Sequence, residues 1–324
     1  MTSMHTLRFV LAFAALSALM ATYGTAQQQQ LSAPPGREYK LQTLYRASIA
    51  QSYEFVEQTS VERVFRDSSK TTYSRTATYF VTVRCIEALD GISKVVVNLD
   101  SLLYKFTSEG KEITYDSQKD ITPKNFADLN NYIGPLNRSF ELTYSPYGEV
   151  TSITGEQIDF WREYLEQNAS DLDTVLYTIW TQSLSRENLL HVGDLQKRII
   201  PGLRKAVDST WKHQLALRID GTQYSGTVRS RLAAYEGGLY HIITQDTLTA
   251  SPGQVVHTYN IPELASVVSG SLTTNNTLLL STAGTINEYT SIAKGTLQLV
   301  AGREPFTQNT TTTLQWKLLG QYQW

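Results

Sequence analysis

The residues that could do chemistry in this 324-residue chain are few and poorly spaced for it. Beyond the first 26 residues there are four histidines, His191, His213, His241 and His257. None stands in H-x-x-x-H or H-x-H spacing, and Cys85 is the only cysteine, so no zinc site or disulfide framework is read and no cofactor is implied. The G-x-S-x-G elbow and the G-x-x-x-x-G-K phosphate loop are absent. S-x-x-K occurs at Ser108–Lys111 and Ser291–Lys294. Acyl-enzymes use that spacing on a helix; Ser291 lies in Thr-rich, β-prone sequence, where residues three apart face opposite ways. Glu156, Asp159 and Glu163 fall on one helix face, and Arg162 beside them marks a solvated surface rather than an acid/base pair. Cys85 shares the parity of Tyr79, Val81 and Val83, as a small residue on an apolar strand face does, and no local base would make it a nucleophile. The chain therefore reads as non-catalytic.

Aromatic residues carry the remaining signal. Trp161, Tyr164, Tyr177 and Trp180 lie in a helical stretch, and Trp211 opens the strand that follows. Laid over a sheet, those rings would line an apolar cavity, and these five are the candidate ligand-binding residues. Ordinary core packing accounts for the same pattern.

The elements that would position them begin after an export signal. Arg8 precedes an uncharged run from Phe9 to Ala21, and Gly24-Thr25-Ala26 supplies the small residues of a cleavage site, so 1–26 reads as a signal peptide and the mature chain starts at Gln27. Removal takes one of 28 basic residues and none of 30 acidic ones, leaving a net charge of −3 and no basic face for nucleic acid. Residues 27–38, with QQQQ and SAPPG, read as a disordered leader.

From residue 39 to 155 strand-like runs alternate with turns at Asp90-Gly91, Gly110 and Gly148, and from 207 to 324 with turns at Asp220-Gly221, Gly237-Gly238 and Gly284. Within Thr210–Asp220, Trp211, His213, Leu215, Leu217 and Ile219 share an apolar side, opposite Lys212, Gln214, Arg218 and Asp220. Between 156 and 206 the period changes: Leu172, Val175, Leu176, Ile179, Trp180 and Leu184 follow one helix face. Thr154 with Gln157, and Ser170 with Asp173, resemble helix-starting pairs. The fold expected is β-dominated α+β, two curved antiparallel β-meander halves joined by an amphipathic helical connector. LTYSPYGEVTSITG (142–155) and LLSTAGTINEYTSI (279–292) share one outline, which suggests an internal repeat of equivalent hairpins.

The leader, the long β-meander, FELTYSPYGEV (140–150), Gly193-Asp194 and Asp208–Trp211 together resemble a family of uncharacterised exported bacterial envelope proteins with two β-rich halves. Members commonly carry Gly-Asp just before that Trp; here the segment is Val207-Asp208-Ser209-Thr210-Trp211. The family brings no activity with it. The resemblance implies an exported, periplasmic or secreted protein, and its curved sheet with helices is similar in architecture to periplasmic lipoprotein carriers. The function expected is a binding or scaffold module for an apolar ligand, a glycan or an envelope partner protein, with peripheral membrane association compatible. Two alternatives stand beside it. One is a secreted hydrolase. The other is an integral outer-membrane β-barrel, favoured by the closing strand in which Leu314, Trp316, Leu318, Tyr322 and Trp324 alternate.

Overall fold

The computed structural model describes residues 36–120, 122, 126–195 and 199–324; the segment read as a signal peptide and most of the segment read as a leader lie outside the described residues. The first half supplies β1 (Glu38–Lys40), β2 (Ile49–Phe65), β3 (Lys70–Leu89), β4 (Ile92–Ser108), β5 (Lys111–Asp116), β6 (Phe140–Tyr144) and β7 (Val150–Thr154). Four helices are described: α1 (Ala127–Ile133), α2 (Glu156–Gln167), α3 (Thr174–Ser183) and α4 (Arg186–Gly193). The rest is β8 (Arg204–Ala206), β9 (Thr210–Ile219), β10 (Thr222–Glu236), β11 (Leu239–Ala250), β12 (Val255–Val256), β13 (Ala265–Ser281), β14 (Ile286–Ala301) and β15 (Glu304–Gln323).

The two β regions form one antiparallel sheet of 13 strands, in the order β7-β6-β4-β3-β2-β15-β14-β13-β11-β10-β9, with β5 on β4 and β12 on β13. The seam is the β2–β15 ladder, where the first long strand meets the last. Its centre is aromatic: Trp316, Phe55 and Tyr79 lie in register across β15, β2 and β3, with ring centroids 4.3 Å apart for Phe55–Trp316 and 6.0 Å for Phe55–Tyr79. β7 and β9 are the two ends of the strand order and do not pair, so the sheet is not a closed barrel.

The turns follow from residue type. Asp90 and Gly91 have φ of 51° and 81°, and Asp220 and Gly221 have 49° and 77°, the paired left-handed conformations that a two-residue hairpin requires and that Asp and Gly adopt most cheaply. The two look-alike segments form the same turn. Ser145 N donates to Glu149 O at 2.8 Å and Gly148 N to Ser145 O at 2.9 Å; Ser281 N donates to Thr285 O at 2.8 Å and Gly284 N to Ser281 O at 2.9 Å. Each serine hydroxyl also accepts the amide N–H four residues on. The likeness is confined to the turn, because β6 and β7 have five residues each while β13 and β14 have 17 and 16.

Along the long strands one parity is buried and the other faces out. In β2 the buried set is Tyr53, Phe55, Glu57, Thr59, Val61 and Arg63, and Gln58 and Ser60 face solvent. Thr273, Asn275 and Thr277 of β13, and Lys294, Thr296 and Gln298 of β14, repeat the polar exterior. A lipid-facing barrel needs an outward apolar band, and this sheet carries the reverse.

Some local expectations are corrected. α1 falls in sequence read as strand; at seven residues it is too short to show a helical stripe. The residue before α2 is Gly155, not a Thr154 cap, because a Cβ there would lie 3.1 Å from Phe140 Cβ. α3 is capped by Asp173 itself, whose Oδ1 accepts from Val175 N at 2.9 Å and Leu176 N at 3.2 Å. Ile179 is the fully buried member of the α3 stripe, with Leu176 and Trp180 half-buried. Lys212 and Gln214 are exposed as expected, but Arg218 and Asp220 are buried. Arg218 passes under the α3–α4 junction, and Asp220 turns toward Arg75 of β3. Cys85 is a buried free thiol on the strand face assigned to it.

α1 packs closely on α3. A Cβ at Gly134, which ends α1, would lie 2.1 Å from Ser183 Oγ and 2.7 Å from Ser183 Cβ. Gly134→Ala is therefore expected to lower stability by about 1–3 kcal/mol. A urea denaturation midpoint equal to that of the wild type would show that the helices can separate at no cost.

Candidate functional site

The buried face of the sheet holds an ionic cluster among its apolar side chains. β2 places Glu57 and Arg63 on the inward parity, β3 places Arg75, and the β9–β10 turn brings Asp220. α1 contributes Asp128 and Tyr132, and α4 contributes His191. Arg75 bridges two carboxylates: Nη1 lies 2.8 Å from Asp128 Oδ1, and Nη2 bonds Asp220. Tyr104 donates to Asp128 Oδ2 at 2.5 Å, Tyr73 to Asp220 Oδ2 at 3.1 Å, and Gln308 Nε2 to Asp220 Oδ2 at 2.7 Å. Arg63 donates to Gln308 Oε1 at 2.9 Å, to the Tyr73 hydroxyl at 2.8 Å and to the Tyr259 carbonyl. On the other side His191 Nε2 meets Glu57 Oε2 at 2.9 Å, and Tyr132 donates to Glu57 Oε1 at 3.2 Å.

The charges balance. Glu57, Asp128 and Asp220 oppose Arg63, Arg75 and Arg218. Burial alone would raise the Glu57 carboxyl; the bond to His191, the charges of His191 and Arg75 and the Tyr132 hydroxyl outweigh it and hold it below the usual range. Asp220 is likewise raised by burial and lowered further by Arg75 and Arg63, for a net depression. Burial lowers Arg75, but Asp128 and Asp220 reverse that and leave it raised.

These are residue types used in acid/base catalysis, yet the cavity they enclose measures about 30 Å³. That is room for about two waters, not for an organic substrate. The carboxylates already accept from arginine, tyrosine, glutamine or histidine. The cluster therefore acts as a clamp: it ties α1 and α4 to β2, β3 and the β9–β10 turn. Among the described residues no group of three His, Cys, Asp or Glu has the arrangement to hold a metal ion.

The five aromatic candidates do not converge on one cavity. Trp161 and Tyr164 of α2 are 37% and 46% exposed; their rings contact each other at 5.4 Å, and Arg138 stacks on Trp161 at 4.8 Å. Tyr177 and Trp180 of α3 are half-buried against the core. Trp211 is buried and donates through Nε1 to Ile199 O at 3.0 Å. None of the five lines the ionic cavity or the cleft described next.

A larger concavity opens where the β2–β3 turn, the β14–β15 turn and residues 261–263 meet. It measures about 1,020 Å³. Its apolar lining is Phe65, Ile261, Ala301 and Phe306, with Phe65 and Phe306 in ring contact at 5.6 Å. Arg66, Asp67, Glu263, Arg303 and Glu304 supply polar groups of both signs. Sequence reading missed this cleft because its parts are strand ends and a loop, with the β2–β3 turn roughly 195 to 240 residues from the other two segments. The ionic cluster did leave a signal: Glu57, Arg63 and Arg75 interrupt the apolar parity of their strands.

The fold and its interior thus define a protein built on one curled antiparallel sheet, with a helical insert clamped inside by buried ion pairs. The chain belongs to the Family of unknown function (DUF6263), whose profile matches residues 90–282. No curated protein is significantly similar to it. Among solved structures, one titled for lipid–protein interactions in lipovitellin aligns at 8% identity and a TM-score of 0.45, covering 86% of this chain and 26% of that one. OpdQ of Pseudomonas aeruginosa aligns at 8% identity and a TM-score of 0.25, covering 84% and 99%. A DUF1329 family protein from Desulfovibrio piger aligns at 7% identity and a TM-score of 0.17, covering 82% and 85%. The chain spans about a quarter of the lipovitellin chain, and likenesses this slight assign no function.

Proposed function

We propose that this protein is an exported, non-catalytic envelope module that binds a small apolar ligand in the cleft between the β2–β3 turn, the β14–β15 turn and residues 261–263. One observation carries the reading. This concavity is apolar at its floor and at the upper end of the size range of ligand pockets, roughly 300–1,000 Å³, while the chemically equipped cluster leaves room for about two waters. Loops on a rigid scaffold commonly carry binding sites, and here long paired strands hold the loops that form the cleft. The mixed charges at the rim favour no ionic ligand of either sign, so a neutral apolar molecule of drug size is the occupant. Export rests on the leader sequence.

Nile red fluorescence with the chain lacking residues 1–26 tests this. Saturable binding is expected, and Ala301→Trp, which fills the cleft, should weaken it roughly tenfold or more, equivalent to about 1.4 kcal/mol. Unchanged binding in Ala301→Trp would move the ligand elsewhere. Absence of saturable binding in the wild type would end the apolar-ligand reading.

A further inference from the structure

α2 carries an aromatic ridge on a side that the fold leaves uncovered. Ile158 and Leu165 turn inward and are buried, whereas Phe160 is 61% exposed and Trp161 and Tyr164 are exposed beside it. The three rings form one edge-to-face chain, with centroids 5.9 Å apart for Phe160–Trp161 and 5.4 Å for Trp161–Tyr164. The helix beneath them is fixed to the fold. Arg162 donates to Leu184 O, at the end of α3, from Nε at 3.0 Å and from Nη2 at 2.6 Å. A ridge held in place before contact loses little freedom on binding, and Trp and Tyr are residues in which the binding energy between proteins concentrates.

Carboxylates border the ridge. Glu156 stands four residues before Phe160 and Glu163 three after it, on the same helix face. Arg162 is engaged by Asp159 at 3.2 Å, and among the described residues Glu156, Glu163 and Glu166 form no ion pair. The helix dipole accounts for Glu156 and Asp159 in the first turn. It disfavours Glu166 in the last turn, which holds no basic residue, so that carboxylate does not serve the helix. Six acidic residues stand against one arginine between 156 and 173, while the rest of the chain has 27 basic and 24 acidic residues, so the protein's negative charge is concentrated on this segment.

That charge selects what can cover the rings. Membrane surfaces carry anionic lipid, and helices that lie on them present lysine and arginine, so this face is repelled by one. In a two-fold contact between copies the same patch meets itself, which would set these carboxylates against each other. A cationic surface is attracted to them, and its lysine and arginine heads also stack on aromatic faces while their stems cover apolar area. One such contact exists within the chain, where the Arg138 guanidinium lies 4.8 Å from the Trp161 ring centre.

We propose that the outer face of α2 docks a partner protein through a basic segment, whose lysine or arginine heads meet Glu156 and Glu163 and whose apolar side chains cover Phe160 and Tyr164. The aromatic ridge supplies the contact area, and the carboxylates set the sign of the partner. This surface is separate from the turn-end cleft and does not rest on it.

Fluorescence anisotropy of a labelled amphipathic peptide, two repeats of LKKLLKL, titrated with the chain lacking residues 1–26 tests the assignment. Saturable 1:1 binding is expected, weakened roughly tenfold or more in Phe160→Ser combined with Tyr164→Ser. Glu156→Gln combined with Glu163→Gln should weaken it similarly and flatten its dependence on salt, and because this pair keeps the rings, a folding defect in the first variant cannot decide the result. Ala301→Trp should leave peptide binding unchanged. A peptide with every lysine replaced by glutamine that binds as tightly would overturn the charge selection. Binding retained in both α2 variants, or lost in Ala301→Trp alone, would place the peptide elsewhere and overturn this surface. A wild-type dimer in sedimentation that dissociates in the Phe160 and Tyr164 variant would assign the ridge to a second copy. Wild type that sediments with phosphatidylglycerol vesicles through the same two residues would assign it to a membrane, and either result overturns the basic partner. No peptide binding to the wild type overturns it as well, whatever Nile red does.

Discussion

Arg75→Met is expected to cost about 3–5 kcal/mol of folding stability. The guanidinium lies between Asp128 and Asp220, all three in the interior, and its removal leaves two carboxylates in a low-dielectric space with neutral hydrogen-bond partners and, for Asp220, only the charge of Arg63 nearby. Removing one partner from a buried pair is far more damaging than removing both. Asp128→Asn and Asp220→Asn introduced into Arg75→Met should therefore recover part of the loss, a coupling on the order of 0.5–3 kcal/mol. Asn suits position 220, where φ is 49°. Urea denaturation at neutral pH reads these values. A loss below about 1 kcal/mol for Arg75→Met would show that water reaches the cluster and that apolar contacts alone hold α1 in place.

Acidification is expected to produce the second large effect. Glu57 and Asp220 both titrate below the ordinary range in the folded chain, because the neighbouring cations and hydrogen bonds outweigh the penalty of burial. In the unfolded chain they take up protons near pH 4. Between those values the unfolded chain holds more protons, so stability falls as pH falls. The contribution is complete above about pH 5 and is lost as pH drops through the folded pKa values, at up to about 1.4 kcal/mol per pH unit for each group. Urea midpoints measured from pH 6 to pH 3 should decline accordingly, and Asp220→Asn should decline less steeply. A flat wild-type profile over that window would rule out the ionic clamp as a source of stability.

Parts of the cluster were legible as irregularities. Glu57 and Arg63 sit on the parity of Tyr53, Phe55 and Val61, and Arg75 on the parity of Tyr73, Ala77 and Tyr79. A charged residue on an apolar stripe must find a partner inside, because burial of an isolated charge is prohibitive. Nothing local names that partner. Asp128 lies on a seven-residue helix with no visible period, and Asp220 stands in a turn, where aspartate needs no further explanation. On the apolar side of α2 formed by Ile158, Trp161 and Leu165, Ile158 and Leu165 are buried while Trp161 and the neighbouring Tyr164 are exposed.

The sequence by itself determined the β-dominated class, the two strand-rich regions, the helical period between them and the turns at Asp90-Gly91, Gly110, Gly148, Asp220-Gly221, Gly237-Gly238 and Gly284. Those features are local: alternation sets which side chains share a face, and left-handed backbone selects Gly and Asp. The tertiary structure decided what the periods cannot encode. It joined the two regions into one sheet through β2 and β15, buried Arg218 and Asp220 at the end of an edge strand, and brought Phe65, Ile261 and Phe306 around one cleft. The β2–β15 ladder joins residues roughly 240 to 275 positions apart, where the hydrogen bonds are the same for many registers and only the packing of complete faces selects one.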